Sequence, residues 1–289
     1  MSGDALHPWL DLLRGQNQLV ADAPVKARAV LEKLSRSRPW PGVTERDETI
    51  AGVPCRVLEP EGAGEGLLVY VHGGGFHVGS FATHGYLVRT IATTLKRRTV
   101  FPEYRLAPEY PFPAGLDDVS AVLGHVTGSV LLAGDSAGAN LSLGAWQRHR
   151  GRPLDGLVLL SPWLDLSCRD SVHVDAPFDY LEKGGLVRVS SSYLAGADPL
   201  NPLASPAFAD LRGLPRTFVA SGGDEVLRDE IAAFVAKATE AGADITHHVE
   251  PGVPHVYALL PMFGAARRQL VQALTGWRSP PSSARGATP

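Results

Sequence analysis

The sequence predicts an α/β protein with an open, mostly parallel sheet and helices on both faces. Two observations carry that prediction. Residues 67–71 (LLVYV), 130–133 (VLLA), 157–160 (LVLL) and 217–220 (TFVA) are short, nearly unbroken apolar runs. Strands covered by helices on each side read this way, because neither face meets water. Helical stretches alternate with the runs, at about residues 86–95, 116–124, 139–148 and 230–241, and such alternation builds a parallel sheet. The chain has 289 residues, 44% hydrophobic and 20% charged, enough for one large domain with a sizeable core.

In chain order, residues 1–45 open with helical patterning: Leu6, Trp9, Leu10 and Leu13 share one face, followed by Val25, Ala29 and Leu34. RPWPG then breaks the chain. A strand-like segment runs through Thr49, Ile50 and Val53 to Leu58, with Gly52 marking a turn. Residues 46–278 form the main domain. Residues 163–206 interrupt its rhythm, being rich in Ser, Asp, Gly and Pro, with a helical patch at 186–194, and read as an insertion over the end of the sheet. A last strand is expected at 245–249. The tail, 279–289, is small, polar and Pro-rich and is expected to be disordered.

Composition narrows the partners. A formal net charge of −3, with basic groups such as Lys96-Arg97-Arg98 and Arg267-Arg268 scattered as helix ends, gives no basic stripe for nucleic acid. Cys55 and Cys168 provide neither a disulfide framework nor a CxxC motif, and suit a reducing compartment. The first residues lack the apolar core of a signal peptide, and no run approaches the roughly eighteen apolar residues of a membrane span. The expectation is a soluble, cytoplasmic protein without a membrane partner.

The chemistry-bearing motifs come in order. Gly134-Asp135-Ser136-Ala137-Gly138 fits G-x-S-x-G between an apolar strand and a helical stretch. In such an elbow the serine projects from the C-terminal edge of the sheet, and small neighbours let strand and helix backbones meet. The alternative is a chemically idle Gly-Ser turn, which the flanking strand and helix disfavour. Upstream, His72-Gly73-Gly74-Gly75-Phe76 follows the first apolar run and matches no phosphate-loop pattern. It reads as an oxyanion hole, with the amides of Gly74, Gly75 and Ala137 as donors.

A general base should follow the nucleophile. His255, on a turn-rich segment after the last strand, is favoured over His149, His173, His247 and His248. A metal site from His247, His248 and His255 matches no usual ligand spacing, and neither metal nor organic cofactor is called for. The orienting acid falls in 221–230, where Asp224 and Glu225 both qualify. Asp229 and Glu230 sit at a helix start and complement its dipole.

Taken together, HGGGF at His72, YRLAPEYPFPA at Tyr104, GDSAGANL at Gly134, SPWLDLS at Ser161, SPAFADLRGLP at Ser205 and DEVLRDE at Asp224 resemble the hormone-sensitive-lipase-like, bacterial family IV esterases of the α/β-hydrolase fold. The resemblance spans about residues 67–260. It implies a serine carboxylesterase acting on small, short-acyl esters, or within that chemistry a deacetylase. It also implies a helical cap made from residues 1–45 and 163–206, and dimers are common among such proteins. The family's acid register falls on Glu225 rather than Asp224, although the family more often carries Asp there. A non-hydrolytic receptor on the same fold is the rival, disfavoured by the histidine at 255.

Overall fold

The computed structural model describes residues 7–35, 40–169 and 176–278. The elements in order are α1 (His7–Asp22), α2 (Pro24–Leu34), β1 (Val43–Ile50), β2 (Val53–Pro60), β3 (Leu67–Val71), α3 (Phe81–Leu95), β4 (Arg98–Pro102), α4 (Ala114–His125), β5 (Val130–Asp135), α5 (Ala137–Arg148) and β6 (Gly156–Leu160). They continue with α6 (Lys183–Leu194), β7 (Thr217–Gly222), α7 (Arg228–Glu240), β8 (Ile245–Glu250) and α8 (Gly264–Arg278). His173 and the tail 279–289, both considered above, lie outside the described residues.

One eight-stranded sheet has the order β1-β2-β4-β3-β5-β6-β7-β8. The β1–β2 hairpin turns on Ala51 and Gly52, both at positive φ, as a two-residue loop with the twist of its strands requires. β2 pairs antiparallel with β4, and the six strands from β4 to β8 are parallel. Side chains alternate across the parallel strands. Val69, Leu132, Leu159 and Val219 face a layer containing α4, α5 and α7, whereas Leu68, Leu131, Val158 and Phe218 face α3 and α8. Both faces are therefore dry, which is why these strands read as unbroken apolar runs.

From β3 the chain moves outward to β4, then returns across β3 to β5. The strand order reverses between β3 and β5, and in open α/β sheets ligands bind at the carboxyl ends of the strands flanking such a switch. HGGG follows β3 and Ser136 follows β5. Away from the sheet, α1 packs on α2 and on α6. Among the described residues no helix is long and apolar enough to cross a membrane. Cys55 and Cys168 are both buried free thiols, and burial pushes each up to about 12.

Candidate active site

Ser136 stands between β5 and α5 at φ 50, ψ −119, a backbone conformation a non-glycine residue rarely adopts. Three features hold it there. Its amide donates to Leu160 O (2.9 Å), and its carbonyl accepts from the amides of Asn140 and Trp163 (3.2 Å each). The third is contact: a Cβ at Gly138 would collide with the carbonyl oxygens of Val71 and His72, and one at Gly134 with the backbone of Gly138. The glycines of the elbow are there because strand, elbow and β3 touch.

His255 arrives from the loop after β8, and its Nε2 lies 2.9 Å from Ser136 Oγ. Its Nδ1 lies 3.7 Å from Glu225 Oε1, beyond a hydrogen bond, and neither atom has another hydrogen-bond partner among the described residues. The second Glu225 oxygen is fixed: Oε2 accepts from Ser161 Oγ and from the Gly222 amide, both at 2.7 Å. Ser161 Oγ in turn accepts the Val256 amide at 3.1 Å. Burial pushes the His255 imidazole down, but Glu225, then Asp179 and Asp135, outweigh it, and the net displacement is upward.

Of the two acids left open by the residues alone, Glu225 is fully buried and faces His255, while Asp224 is half-buried and its amide donates to Val253 O. Glu230 does more than complement a dipole: it is buried, and its Oε1 accepts the Leu164 amide. The other described histidines weighed for the base point elsewhere. His149 Nε2–H donates to Ser120 O, His247 pairs with Ser221 Oγ, and His248 meets Glu250.

Gly74 and Gly75 have φ of 107 and 59 and line the same cavity as Ser136 and His255. Among the described residues their amides donate to no protein acceptor. Ala137 is the first residue of α5, where an amide has no intrahelical partner. The loop is braced from behind. Tyr104, in YRLAPEYPFPA, stacks on the His72 ring at 4.2 Å and donates to His72 O at 2.8 Å. His72 Nδ1–H donates to Gly73 O, and burial, aided by nearby His84, pushes its pKa down to about 3. From the other side His77 Nδ1–H donates to Gly75 O (2.7 Å), leaving Nε2 to accept from Ser192 of α6 (2.8 Å).

Asp135, between Gly134 and the serine, is buried. Burial raises its carboxyl, but His84 at 3.4 Å and the Tyr70 hydroxyl at 2.9 Å hold it below the usual carboxylate range. A cavity of about 770 Å³ opens over Ser136, walled by Leu13, Val20 and Leu31 from α1 and α2, by Leu186 and Val189 from α6, and by Trp163. Sequence reasoning missed Ser161, quoted only as part of a motif, and Asp179.

A serine on a strand–elbow–helix, a histidine on a loop at the same sheet edge and a glycine loop beside them define the α/β-hydrolase class. A family model of that fold matches residues 68–259. An acetyl-hydrolase of Streptomyces hygroscopicus is 39% identical over 66% of this chain and 67% of its own length. An esterase of Acinetobacter venetianus is 32% identical over 87% and 86%. A hormone-sensitive lipase from a metagenome library superposes with a TM-score of 0.85 at 34% identity, covering 94% of this chain and 97% of that one. The chain belongs to the hormone-sensitive-lipase-like family of α/β hydrolases.

Proposed function

We propose that this carboxylic ester hydrolase cleaves small, short-acyl esters through Ser136, His255 and Glu225. The observation that carries the reading is the 2.9 Å contact between Ser136 Oγ and His255 Nε2 on the floor of an apolar cavity. As Oγ attacks the ester carbonyl, its proton passes to Nε2, and the new oxyanion is met by the amides of Gly74, Gly75 and Ala137. The ester C–O bond then breaks, Nε2–H protonates the leaving alcohol, and water repeats the sequence on the acyl-serine, releasing the acid. Glu225 closes on Nδ1–H as the imidazolium forms. Such contacts are often long in the free enzyme and tighten in the complex.

Residues 1–45 and 163–206 act as a cap in this reading. The cavity wall supports it, since α1, α2 and α6 all contribute side chains around Ser136. The short-acyl preference draws support from relatives named acetyl-hydrolase and arylacetamide deacetylase.

The test is a p-nitrophenyl ester series from acetate to decanoate on the wild-type protein and Ser136→Ala. The expected result is kcat/KM greatest at two to four carbons, and a kcat lower by roughly 10⁴–10⁶-fold in the variant. Hydrolysis undiminished in Ser136→Ala would overturn the assignment. An organophosphonate that fails to label the wild-type serine would favour a receptor.

A further inference from the structure

Asp179 is a buried carboxylate that no step above uses. It lies in the insertion, ahead of α6, and faces the site from outside the sheet. One oxygen, Oδ2, accepts the amide of Val226, the residue after Glu225, at 2.7 Å. The other, Oδ1, accepts the amide of His255 at 3.2 Å and that of Tyr180 at 2.7 Å. A single side chain thus spans the loop after β7, which carries the acid, and the loop after β8, which carries the base. The Asp179 peptide is itself held: Arg14 of α1 donates from Nε and Nη2 to Asp179 O (3.1 and 3.0 Å) and from Nη2 to Pro177 O.

We infer that Asp179 is a positioning residue through which the cap sets the distance between His255 and Glu225, with Arg14 anchoring it from α1. Both loops need such a tie. Glu225 is fixed through Oε2 alone, while Oε1 and Nδ1 stand 3.7 Å apart, and Val256 beside the histidine holds a φ of 41 that a β-branched residue resists. An anion suits the role because it accepts several amides at once without offering a competing donor. An asparagine there must turn its NH₂ toward one of those amides and lose it. The charged groups facing Asp179 are His255 and Glu225 from the two loops. Burial raises its carboxyl to about 6, with His255 and the amides acting in the opposite direction.

The inference rests on the Ser136–His255–Glu225 reading, and its test separates the two. Kinetics on an acetate ester are compared for wild type, Asp179→Asn, Arg14→Met and Ser136→Ala, with active sites counted by exhaustive organophosphonate labelling. Asp179→Asn is expected to lower kcat per labelled site at least ten-fold with KM within about two-fold. Its acidic limb of kcat/KM should move to lower pH, since one of the carboxylates raising His255 is gone. Arg14→Met is expected to lower kcat several-fold and leave the limb in place. A lower melting temperature in Asp179→Asn with kcat per site and limb unchanged overturns the inference and leaves a purely structural aspartate. Should Asp179→Asn not fold, Arg14→Met decides, and an unchanged kcat per site overturns the coupling. An active Ser136→Ala would instead overturn the reading beneath it.

Discussion

At the residue scale the pH dependence follows from His255. In the proposed mechanism the neutral imidazole is the base, so activity is expected to rise with pH through its pKa, and Glu225, Asp179 and Asp135 place that pKa above the ordinary 6.5 despite burial. Glu225→Gln removes the foremost upward influence and offers Nδ1 an NH₂, which selects the wrong tautomer. The expected outcome is a kcat lower by roughly 10⁴-fold and an acidic limb at lower pH, read from a kcat/KM profile between pH 5 and 9. A limb that stays put would mean that Asp224 or another group sets the imidazole. Ser161→Ala makes a narrower cut: it frees Glu225 Oε2 from one donor and leaves the Val256 amide without its acceptor. Stranding a buried donor costs about 1–3 kcal/mol, to be measured by urea unfolding alongside a reduced kcat; no loss of either would remove Ser161 from the site.

At the scale of elements, β3, β5, β6 and β7 were legible because helices cover both their faces, so their side chains are uniformly apolar. β4 was not. It is five residues long, begins at Arg98 and ends at Pro102, and the basic run before it resembles a helix end; it belongs to the core through its neighbours rather than its own pattern. α3 starts at Phe81 rather than near residue 86, where Thr83 Oγ1 accepts the Ser80 amide at 3.0 Å, one half of a capping box, with Thr in the place usually held by Glu or Gln. The elbow was legible for a steric reason, and that reason can be tested. A methyl group at Gly138 has nowhere to go but into the carbonyls of Val71 and His72; Val71 is paired in β3 and His72 O accepts the Tyr104 hydroxyl, so neither yields freely. Gly138→Ala is therefore expected to destabilise by at least the roughly 1–3 kcal/mol of ordinary overpacking and to abolish ester hydrolysis. A melting temperature within a degree or two of wild type would show that the elbow tolerates a shift. Asp179 lay beyond any such signal: it accepts backbone amides 47 and 76 positions away, and an amide has no residue type to recognise.

For the whole molecule the question is whether the N-terminal helices and the sheet are one body or two. The two large apolar clusters lie on the faces of the sheet. Among the described residues, α1 and α2 meet the sheet domain's apolar side chains through a small cluster, Val20, Ala27 and Val78, and through Ala21 at the margin of one large cluster; Val78 follows the glycine loop. Exposing one such valine forfeits about 1.5–3 kcal/mol, a modest part of the stability such extensive cores supply. Polar ties add some: Arg28 of α2 donates to His77 O and Ala107 O (2.7 Å each) and pairs with Glu109. On the proposed function the helices are expected to contribute more to chemistry than to folding. They line the cavity over Ser136, and in the proposed mechanism that wall keeps water from weakening the hydrogen bonds that would meet the oxyanion. Removing α1 and α2 is therefore expected to leave a cooperatively unfolding protein, judged by circular dichroism. Its kcat/KM for acetate and butyrate esters should drop ten-fold or more, and organophosphonate should still label Ser136, only more slowly. Full activity in the truncated protein would mean that the cavity wall is dispensable, whereas loss of cooperative unfolding would mean that α1 and α2 are integral to the core that folds the sheet.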